Sequence, residues 1–213
     1  MSQRNLERDP LRVGVLLSGE GTSLENLCEQ IDKGHVPARV VAVMSSKRGV
    51  GGLRRAENRG IPALAVPRKL HKDLGDFNDR IHRFLVEHDV ELVALLGFLS
   101  PFQLRGHFEG RAMNVHPALI PAFSGQGFYG RRVYEAVLAK GVKVTGATVH
   151  FVDEEYDHGP IVSQEAVAVR EDDTLETLQA RVTEAERRLV PEAVRAFAEG
   201  RLTIDGKRVH VSD

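Results

Sequence analysis

Residues 12–23 read Arg-Val-Gly-Val-Leu-Leu-Ser-Gly-Glu-Gly-Thr-Ser, an apolar run that ends in two glycines separated by one residue. A short and nearly continuous apolar run is typical of a strand that is buried on both faces of a parallel sheet. Apolar residues then recur at helical spacing from Leu24 to Ile31, so a helix begins at the glycine turn, residues 18–23. The stretch predicts a strand, a turn and a helix N-terminus, the unit from which doubly wound α/β sheets are built.

The rest of the chain continues this alternation of strands and helices. Short apolar runs that predict strands lie at residues 38–44, 62–66, 92–96 and 112–115. Two later runs, 142–152 and 161–169, alternate in part and predict an antiparallel pair, and a capping-box spacing at Thr174 opens a long helix. The predicted fold is a single-domain, Rossmann-like α/β fold, with a mostly parallel twisted sheet, helices on both faces and an antiparallel C-terminal strand pair.

The two ends of the chain are predicted to lie outside this domain. Residues 1–11 are mostly polar or charged and contain no apolar signal region, so we interpret them as a flexible N-terminal tail. The domain is predicted to span 12–203 and a C-terminal tail 204–213. Within that tail, Asp205-Gly206 is a hairpin signal between two short strands.

Composition excludes several classes of protein. The chain has 213 residues, 42% of them apolar, and a formal net charge of −1, so no long-range field attracts nucleic acid or an anionic membrane. Cys28 is the only cysteine, which excludes an internal disulfide and a multi-cysteine metal site. No apolar run approaches the length of a membrane span. We therefore expect a cytoplasmic protein that binds any anionic ligand through a local group of donors.

The glycine turn is one such group of donors. Backbone N–H groups at a helix N-terminus, with the hydroxyls of Thr22 and Ser23, make a site for a phosphate, although an ordinary capped turn has the same sequence. A dinucleotide fits less well, because the third glycine of the fingerprint would fall at Leu24 and the second strand ends without an acidic residue. A single phosphate is the better ligand.

Asn114 and His116 form the second candidate site. They lie two residues apart at the end of a predicted strand, so both side chains leave the same face. Pro117 keeps His116 extended at the carboxyl end of the strand, where open α/β sheets bind ligands. An isolated Asn-x-His is more often a capping residue beside a satisfied histidine. The functional interpretation places an amide and a titratable imidazole at a cleft.

An imidazole that acts as an acid or base needs a charge partner. The turn at 153–157 is rich in carboxylates, and Asp157, which precedes His-Gly-Pro, is our candidate, although Asp is also a common turn residue. Beside His116 it would raise the pKa of the imidazole and favour the imidazolium. No known metal-ligand spacing connects His116, His150, His158 and Asp157, so we expect no metal.

Several separated segments together resemble one enzyme family. They are Ser18-Gly-Glu-Gly-Thr-Ser23, Gly97-Phe98, Asn114-Val-His-Pro-Ala-Leu-Ile-Pro121, Gly146-Ala-Thr-Val-His-Phe-Val152, Asp157-His-Gly-Pro160 and Arg181-Val-Thr-Glu-Ala-Glu186. The chain from residue 12 to about 203 is similar to phosphoribosylglycinamide formyltransferases, members of the formyltetrahydrofolate-dependent formyltransferase family. The Asn-x-His-Pro with its downstream Asp is shared across that family, and the Ser-Gly-x-Gly turn points to a ribonucleotide.

The resemblance implies an activity and a site. It implies transfer of the formyl group of 10-formyltetrahydrofolate to the amine of glycinamide ribonucleotide (GAR) in de novo purine biosynthesis, by a monomer or homodimer without metal, nucleic acid or membrane partners. His116 would be the general acid/base, Asn114 the oxyanion stabiliser and Asp157 the charge partner. The GAR-binding residues would be Gly21, Thr22, Ser23 and Glu186. The folate-binding residues would be Phe98, Leu99, Asn114, Asp153, Glu154, Glu155, Tyr156 and Asp157.

The chain departs from the family pattern at two places. Relatives usually have two more residues between Gly-Phe and Ser-Pro, where this chain reads Gly97-Phe-Leu-Ser-Pro101. A basic residue that contacts folate in some relatives falls near Leu74, so Arg68, Lys69 or Lys72 would substitute for it or form a solvated run. The alternatives are a formyltetrahydrofolate hydrolase and a non-catalytic phosphoribosyl- or nucleotide-binding module. A methionyl-tRNA formyltransferase is disfavoured because there is no basic excess for tRNA.

Overall fold

The computed structural model describes residues 9–212, and its strands and helices follow the predicted order. The elements are β1 (Leu11–Leu17), α1 (Thr22–Asp32), β2 (Ala38–Ser45), α2 (Gly51–Asn58), β3 (Ala63–Ala65), α3 (Leu74–Glu87), β4 (Leu92–Leu95), β5 (Ala112–His116), α4 (Arg131–Lys140), β6 (Val144–Phe151), β7 (Ile161–Ala168), α5 (Leu175–Ala198), β8 (Leu202–Asp205) and β9 (Arg208–Val211). A short 3-10 helix covers Arg68–Leu70. Most predicted bounds agree with these to within one or two residues.

All of the strands join one sheet in the order β3-β2-β1-β4-β5-β6-β7-β9-β8. The first five strands pair in parallel, and β6 is antiparallel to both β5 and β7. The chain first builds outward from β1 to β3 and then returns to place β4 on the other side of β1. Such a reversal opens a crevice at the carboxyl ends of β1 and β4, the usual ligand site of open α/β sheets. The predicted fold class is confirmed.

Two apolar cores cover the two faces of the sheet. One face packs against α1, α2, α4 and α5, with Leu24, Leu27, Val137 and Val182 among its fully buried side chains. The other packs against α3 and the segment after β4, around Phe77 and Phe108. The capping box predicted at Thr174 is present, because Thr174 and Thr177 bond each other's backbone N–H. Helices on both faces leave the strand ends as the accessible edge.

The C-terminal segment continues the sheet. The hairpin predicted at Asp205-Gly206 forms between β8 and β9, and β9 pairs with β7 through Arg208 and Ile161. The predicted boundary at residue 203 therefore falls inside β8. Residues 1–8 of the predicted N-terminal tail lie outside the described part of the chain, and β1 begins at Leu11. None of the helices between residues 9 and 212 is long and apolar enough to cross a membrane.

Candidate functional site

One cleft of about 720 Å³ runs across the carboxyl ends of β1, β4 and β5. The predicted site residues all line it: Gly21, Thr22, Ser23, Phe98, Leu99, Asn114, His116, Asp153, Glu154, Glu155, Tyr156, Asp157 and Glu186. The glycine turn forms one end, the 97–101 loop and the 153–157 loop form the walls, and α5 contributes one face. Segments far apart in the chain thus converge on a space large enough for drug-sized ligands.

The glycine turn is held open by its packing against α2. Gly21 has a φ of 72°, and a Cβ at this position would lie 2.5 Å from the Cα of Gly52. Arg55 donates from Nε to the carbonyl of Glu20 at 2.9 Å, and the N–H of Gly52 donates to Gly19 at 3.1 Å. α1 then begins at Thr22, and Gly21, Thr22 and Ser23 line the cleft. The first N–H groups of a helix have no acceptor within the helix, so the turn lies where an anion can bind.

Asn114, His116 and Asp157 meet at the centre of the cleft. His116 Nδ1 lies 3.4 Å from Asp157 Oδ2, and Asn114 Nδ2 donates to Asp157 Oδ1 at 3.3 Å. Strand alternation on β5 brings the first two side chains to one face, as predicted from their spacing. Asp157 has a φ of 54°, a left-handed conformation that Asp tolerates, and accepts a hydrogen bond from the N–H of Gly125 at 3.0 Å.

The tautomer of His116 is fixed by its second nitrogen. Nε2 lies 2.8 Å from the carbonyl oxygen of Phe123, which can only accept, so Nε2 carries a proton. In the neutral ring Nδ1 is therefore bare and faces the Asp157 carboxylate. A proton taken up by His116 adds at Nδ1, between the ring and that carboxylate.

Burial decides the charge of His116. It lowers the pKa of the imidazole below its ordinary value, and the opposing effect of the Asp157 carboxylate is smaller. Asp157 therefore contacts His116 and raises the pKa of the imidazole, as expected, but the ring is almost fully buried and the larger cost of desolvating its charge leaves the pKa below its ordinary value. Burial would raise the pKa of Asp157, yet His150, His116 and the Gly125 N–H together hold it below its ordinary value.

His150 is a site residue that the sequence did not identify as one. It lies on β6 directly opposite Asn114 and is buried. Its Nδ1 donates to the carbonyl of Phe151 at 2.8 Å, so Nε2 is free to accept from Asn114 Nδ2 at 3.1 Å. These contacts fix the orientation of the Asn114 amide. The alternation of β6 showed that His150 shares a face with Thr148, but only the strand register shows what it contacts.

The two walls of the cleft differ in character. On one wall Phe98 is buried and stacks on Phe77, with ring centres 6.4 Å apart, while the Leu99 side chain is exposed. On the other, Asp153 is held by Nδ1 of His158 at 2.9 Å and Nζ of Lys207 at 3.2 Å. A flat apolar surface therefore faces a polar loop.

Arg68, one of the basic residues suggested by the second departure, lies beside the apolar wall. Its guanidinium is 5.6 Å from the ring centre of Phe77, and its charge lowers the pKa of Tyr156 against the larger effect of burial, which raises it. Leu74 itself lines the cleft. A positive charge is thus available where the 153–157 loop and α3 approach each other.

α5 adds a polar stripe to the cleft. Gln179, Thr183 and Glu186 follow one another at helical spacing and all line it. Burial raises the pKa of Glu186 to about 7. The spacing of Gln179 and Thr183 is visible in the sequence, but the apolar periodicity that predicts the helix does not identify them as site residues.

The remaining candidates are resolved by packing. Within residues 9–212 no group of three or more His, Cys, Asp or Glu side chains has a metal-binding arrangement. Cys28 packs in the core beneath α1, and burial raises the pKa of its thiol to about 11. It is the core residue that its position on the apolar face of the helix predicts.

The fold and the cleft define a Rossmann-like group-transfer enzyme, with a glycine turn at a helix N-terminus beside an Asn-His-Asp cluster. The chain belongs to the formyl transferase family, whose model matches residues 11–194. It is 35% identical to the phosphoribosylglycinamide formyltransferase of Haemophilus influenzae over 196 residues, which are 91% of this chain and 90% of that protein. The crystal structure of glycinamide ribonucleotide transformylase 1 from Symbiobacterium toebii superposes with a TM-score of 0.92 at 39% identity, and the match covers 100% of both chains.

Two further comparisons limit what the family alone shows. The chain is 42% identical to the trifunctional purine biosynthetic protein adenosine-3 of Gallus gallus, and the match covers 95% of this chain but 20% of that protein. A formyltetrahydrofolate deformylase from Pseudomonas syringae has a TM-score of 0.85 at 27% identity, with 95% of this chain and 66% of that chain covered. The same fold therefore occurs in a formyltransferase and in a deformylase.

Proposed function

We propose that this protein transfers the formyl group of 10-formyltetrahydrofolate to the amine of GAR, a step of purine biosynthesis. The observation that carries the proposal is that one cleft holds both the glycine turn at Gly21–Ser23, a helix N-terminus suited to a phosphate, and the Asn114, His116 and Asp157 cluster. A water-consuming hydrolase has no need of the first. The names and coverage of the bacterial relatives support the same substrate pair.

The cleft divides into two halves for the two substrates. The phosphate of GAR would bind at the glycine turn, where helix N–H groups and the hydroxyls of Thr22 and Ser23 face the cleft, and Glu186 would contact the rest of the nucleotide. The folate would lie between Phe98 and Leu99 on one side and the Asp153–Asp157 loop on the other. This arrangement brings the amine and the formyl group together at His116.

In the reaction, the amine nitrogen forms a bond to the formyl carbon, and the bond from that carbon to folate N10 breaks. A proton passes from the amine to N10, directly or through water, so no oxidant or metal is needed. Negative charge develops on the formyl oxygen, and the N–H groups of Asn114 and His116 are the nearby donors that would stabilise it. His116 can take a proton at Nδ1, where Asp157 stabilises the resulting charge.

These roles require an exchange of hydrogen bonds. The N–H of His116 is donated to Phe123, and Asn114 Nδ2 is donated to His150 and Asp157. Each must turn at least one N–H toward the formyl oxygen during the reaction. The 123–127 segment, which carries both the Phe123 carbonyl and the Gly125 N–H, is where such a change requires backbone movement.

A two-substrate assay tests the proposal. The purified protein is incubated with 10-formyltetrahydrofolate with and without GAR, and formyl-GAR and free formate are measured separately. We expect formyl-GAR only when GAR is present, and loss of turnover in His116→Ala. Formate release without GAR supports the hydrolase, while binding of either substrate without product supports a non-catalytic module. Full activity of His116→Ala contradicts the role of His116.

A further inference from the structure

The crevice between β1 and β4 is crossed by one buried hydroxyl, that of Ser18. Ser18 is the residue between β1 and the glycines of the turn, and it is 3% exposed. Its Oγ accepts a hydrogen bond from the backbone N–H of Leu99 at 2.9 Å. Leu99 belongs to the 97–101 loop, which comes after β4. The Ser18 side chain therefore links the glycine turn to the 97–101 loop, and these two loops line the cleft from opposite sides of the point where the strand order reverses.

The same hydroxyl reaches a third strand end. Ser18 Oγ lies 2.6 Å from Oγ of Ser46, which comes directly after β2 and is also buried. Ser18 itself does not line the cleft, whereas Gly19 and Leu99 do. Its polar atom is thus used for contacts between loops.

The 97–101 loop makes few other hydrogen bonds between β4 and residue 102, although the buried Phe98 ring also holds it by packing on Phe77. The N–H of Leu96 bonds the carbonyl of Leu16, and Asn78 Nδ2 lies 3.4 Å from the carbonyl of Pro101, near the limit for such a bond. Between Leu96 and Pro101, the contact with Ser18 is the one hydrogen bond that the loop makes in the described part of the chain. Gly97 has a φ of 72°, so the backbone turns there, and the contact at Leu99 fixes the direction in which the loop continues.

We propose that Ser18 is a positioning residue, whose hydroxyl fixes the Leu99 backbone and thereby sets the distance from the 97–101 wall to the glycine turn. The expected effect on kinetics rests on the proposed function, because the 97–101 wall is the one assigned to the folate. The expected effect on the Leu99 backbone does not depend on that function. A buried N–H that loses its acceptor is either left unpaired or moves to find water.

Three variants separate the effect of the hydroxyl from the effect of side-chain size. Ser18→Ala removes the hydroxyl. Ser18→Thr and Ser18→Val have side chains of nearly equal size, and of the two only Thr carries a hydroxyl. We expect KM for 10-formyltetrahydrofolate to rise about tenfold in the Ala and Val variants, with KM for GAR unchanged, and the Thr variant to stay near wild type. Ser46→Ala, which leaves the Leu99 contact intact, is the control and should change KM less than about twofold.

Amide exchange gives a second measurement that needs no activity. Exchange of the Leu99 N–H should be about tenfold faster in Ser18→Ala and Ser18→Val than in wild type and Ser18→Thr. If the wild type transfers no formyl group, the proposed function fails and the exchange result still decides the role of Ser18. Equal behaviour of the Thr and Val variants, or a parallel loss of affinity for both substrates, overturns the proposal, since either indicates a general effect on packing.

Discussion

Replacing Asp157 by Asn isolates the effect of one negative charge on His116. Asn has nearly the same shape as Asp and can still accept from the Gly125 N–H, so the change removes the carboxylate charge 3.4 Å from His116 Nδ1. Two unit charges at that distance interact by about 5 kcal/mol at an effective dielectric constant of about 20. At about 1.36 kcal/mol per unit this is an upper bound of about 4 pKa units.

The expected shift is smaller than this bound. The carboxylate also accepts hydrogen bonds from Asn114 and Gly125 and keeps some contact with solvent, and both reduce the effect of its charge on His116. We therefore expect the pKa of His116 to fall by about 1–3 units in Asp157→Asn. The direction is given by the sign of the charge: the carboxylate raises the pKa of the ring, so removing it lowers a value that burial already holds below 6.5.

The measurement is an NMR titration of the imidazole Cε1–H signals. The chain has nine histidines, and the His116 signal is assigned from its loss in His116→Gln. Asp153→Asn is a matched control, because it removes a carboxylate from the same loop that contacts His158 and not His116. An unchanged or higher midpoint for His116 in Asp157→Asn, with the control equal to wild type, refutes the claim that an ionised Asp157 faces this ring.

Three further predictions concern other parts of the cleft. Gly21→Ala should lower Tm by at least about 4 °C and weaken GAR binding, because its φ is left-handed and its Cβ meets Gly52; thermal unfolding and titration with GAR measure this. Glu186→Gln should be more stable relative to wild type at pH 8 than at pH 4.5, by about 1–3 kcal/mol in the free energy of unfolding measured in urea. The reason is that wild-type stability falls as the pH rises from the pKa of Glu186 in the unfolded chain to its folded value of about 7, whereas Gln does not titrate. His150→Phe should reduce kcat about tenfold or more with KM little changed, since it frees the Asn114 amide to rotate.

Local patterns were sufficient for the parts of the site that lie within one element. The apolar run at 12–17 followed by glycines predicts β1, the turn and α1, because each feature depends on neighbours in the sequence. The spacing of Asn114 and His116 predicts a shared face for the same reason. Asp157 is predicted from the weaker rule that loops at strand ends lie near each other. Glu186 is predicted as a GAR-binding residue from the family resemblance alone.

Contacts between elements could not be predicted in this way. The pairing of β5 with β6 places His150 opposite Asn114, and a register shift of one residue would turn His150 to the other face. The contact of Ser18 with Leu99 requires the position of β4 beside β1, which is a property of the topology. The sign of the pKa shift of His116 depends on burial, which the sequence near the residue does not specify.

The same burial explains why the cluster is internally hydrogen-bonded. A buried amide or imidazole N–H without an acceptor costs about 1–3 kcal/mol, so a site that keeps donors for a later oxyanion must satisfy them meanwhile. Phe123, His150 and Asp157 accept these bonds, and each net bond contributes only about 0.5–1.5 kcal/mol. Exchanging a neutral acceptor, the Phe123 carbonyl or His150, for a developing negative charge gains more than it loses, because bonds to charged groups are about twice as strong. The cluster is thus stable at rest and still favours the transition state.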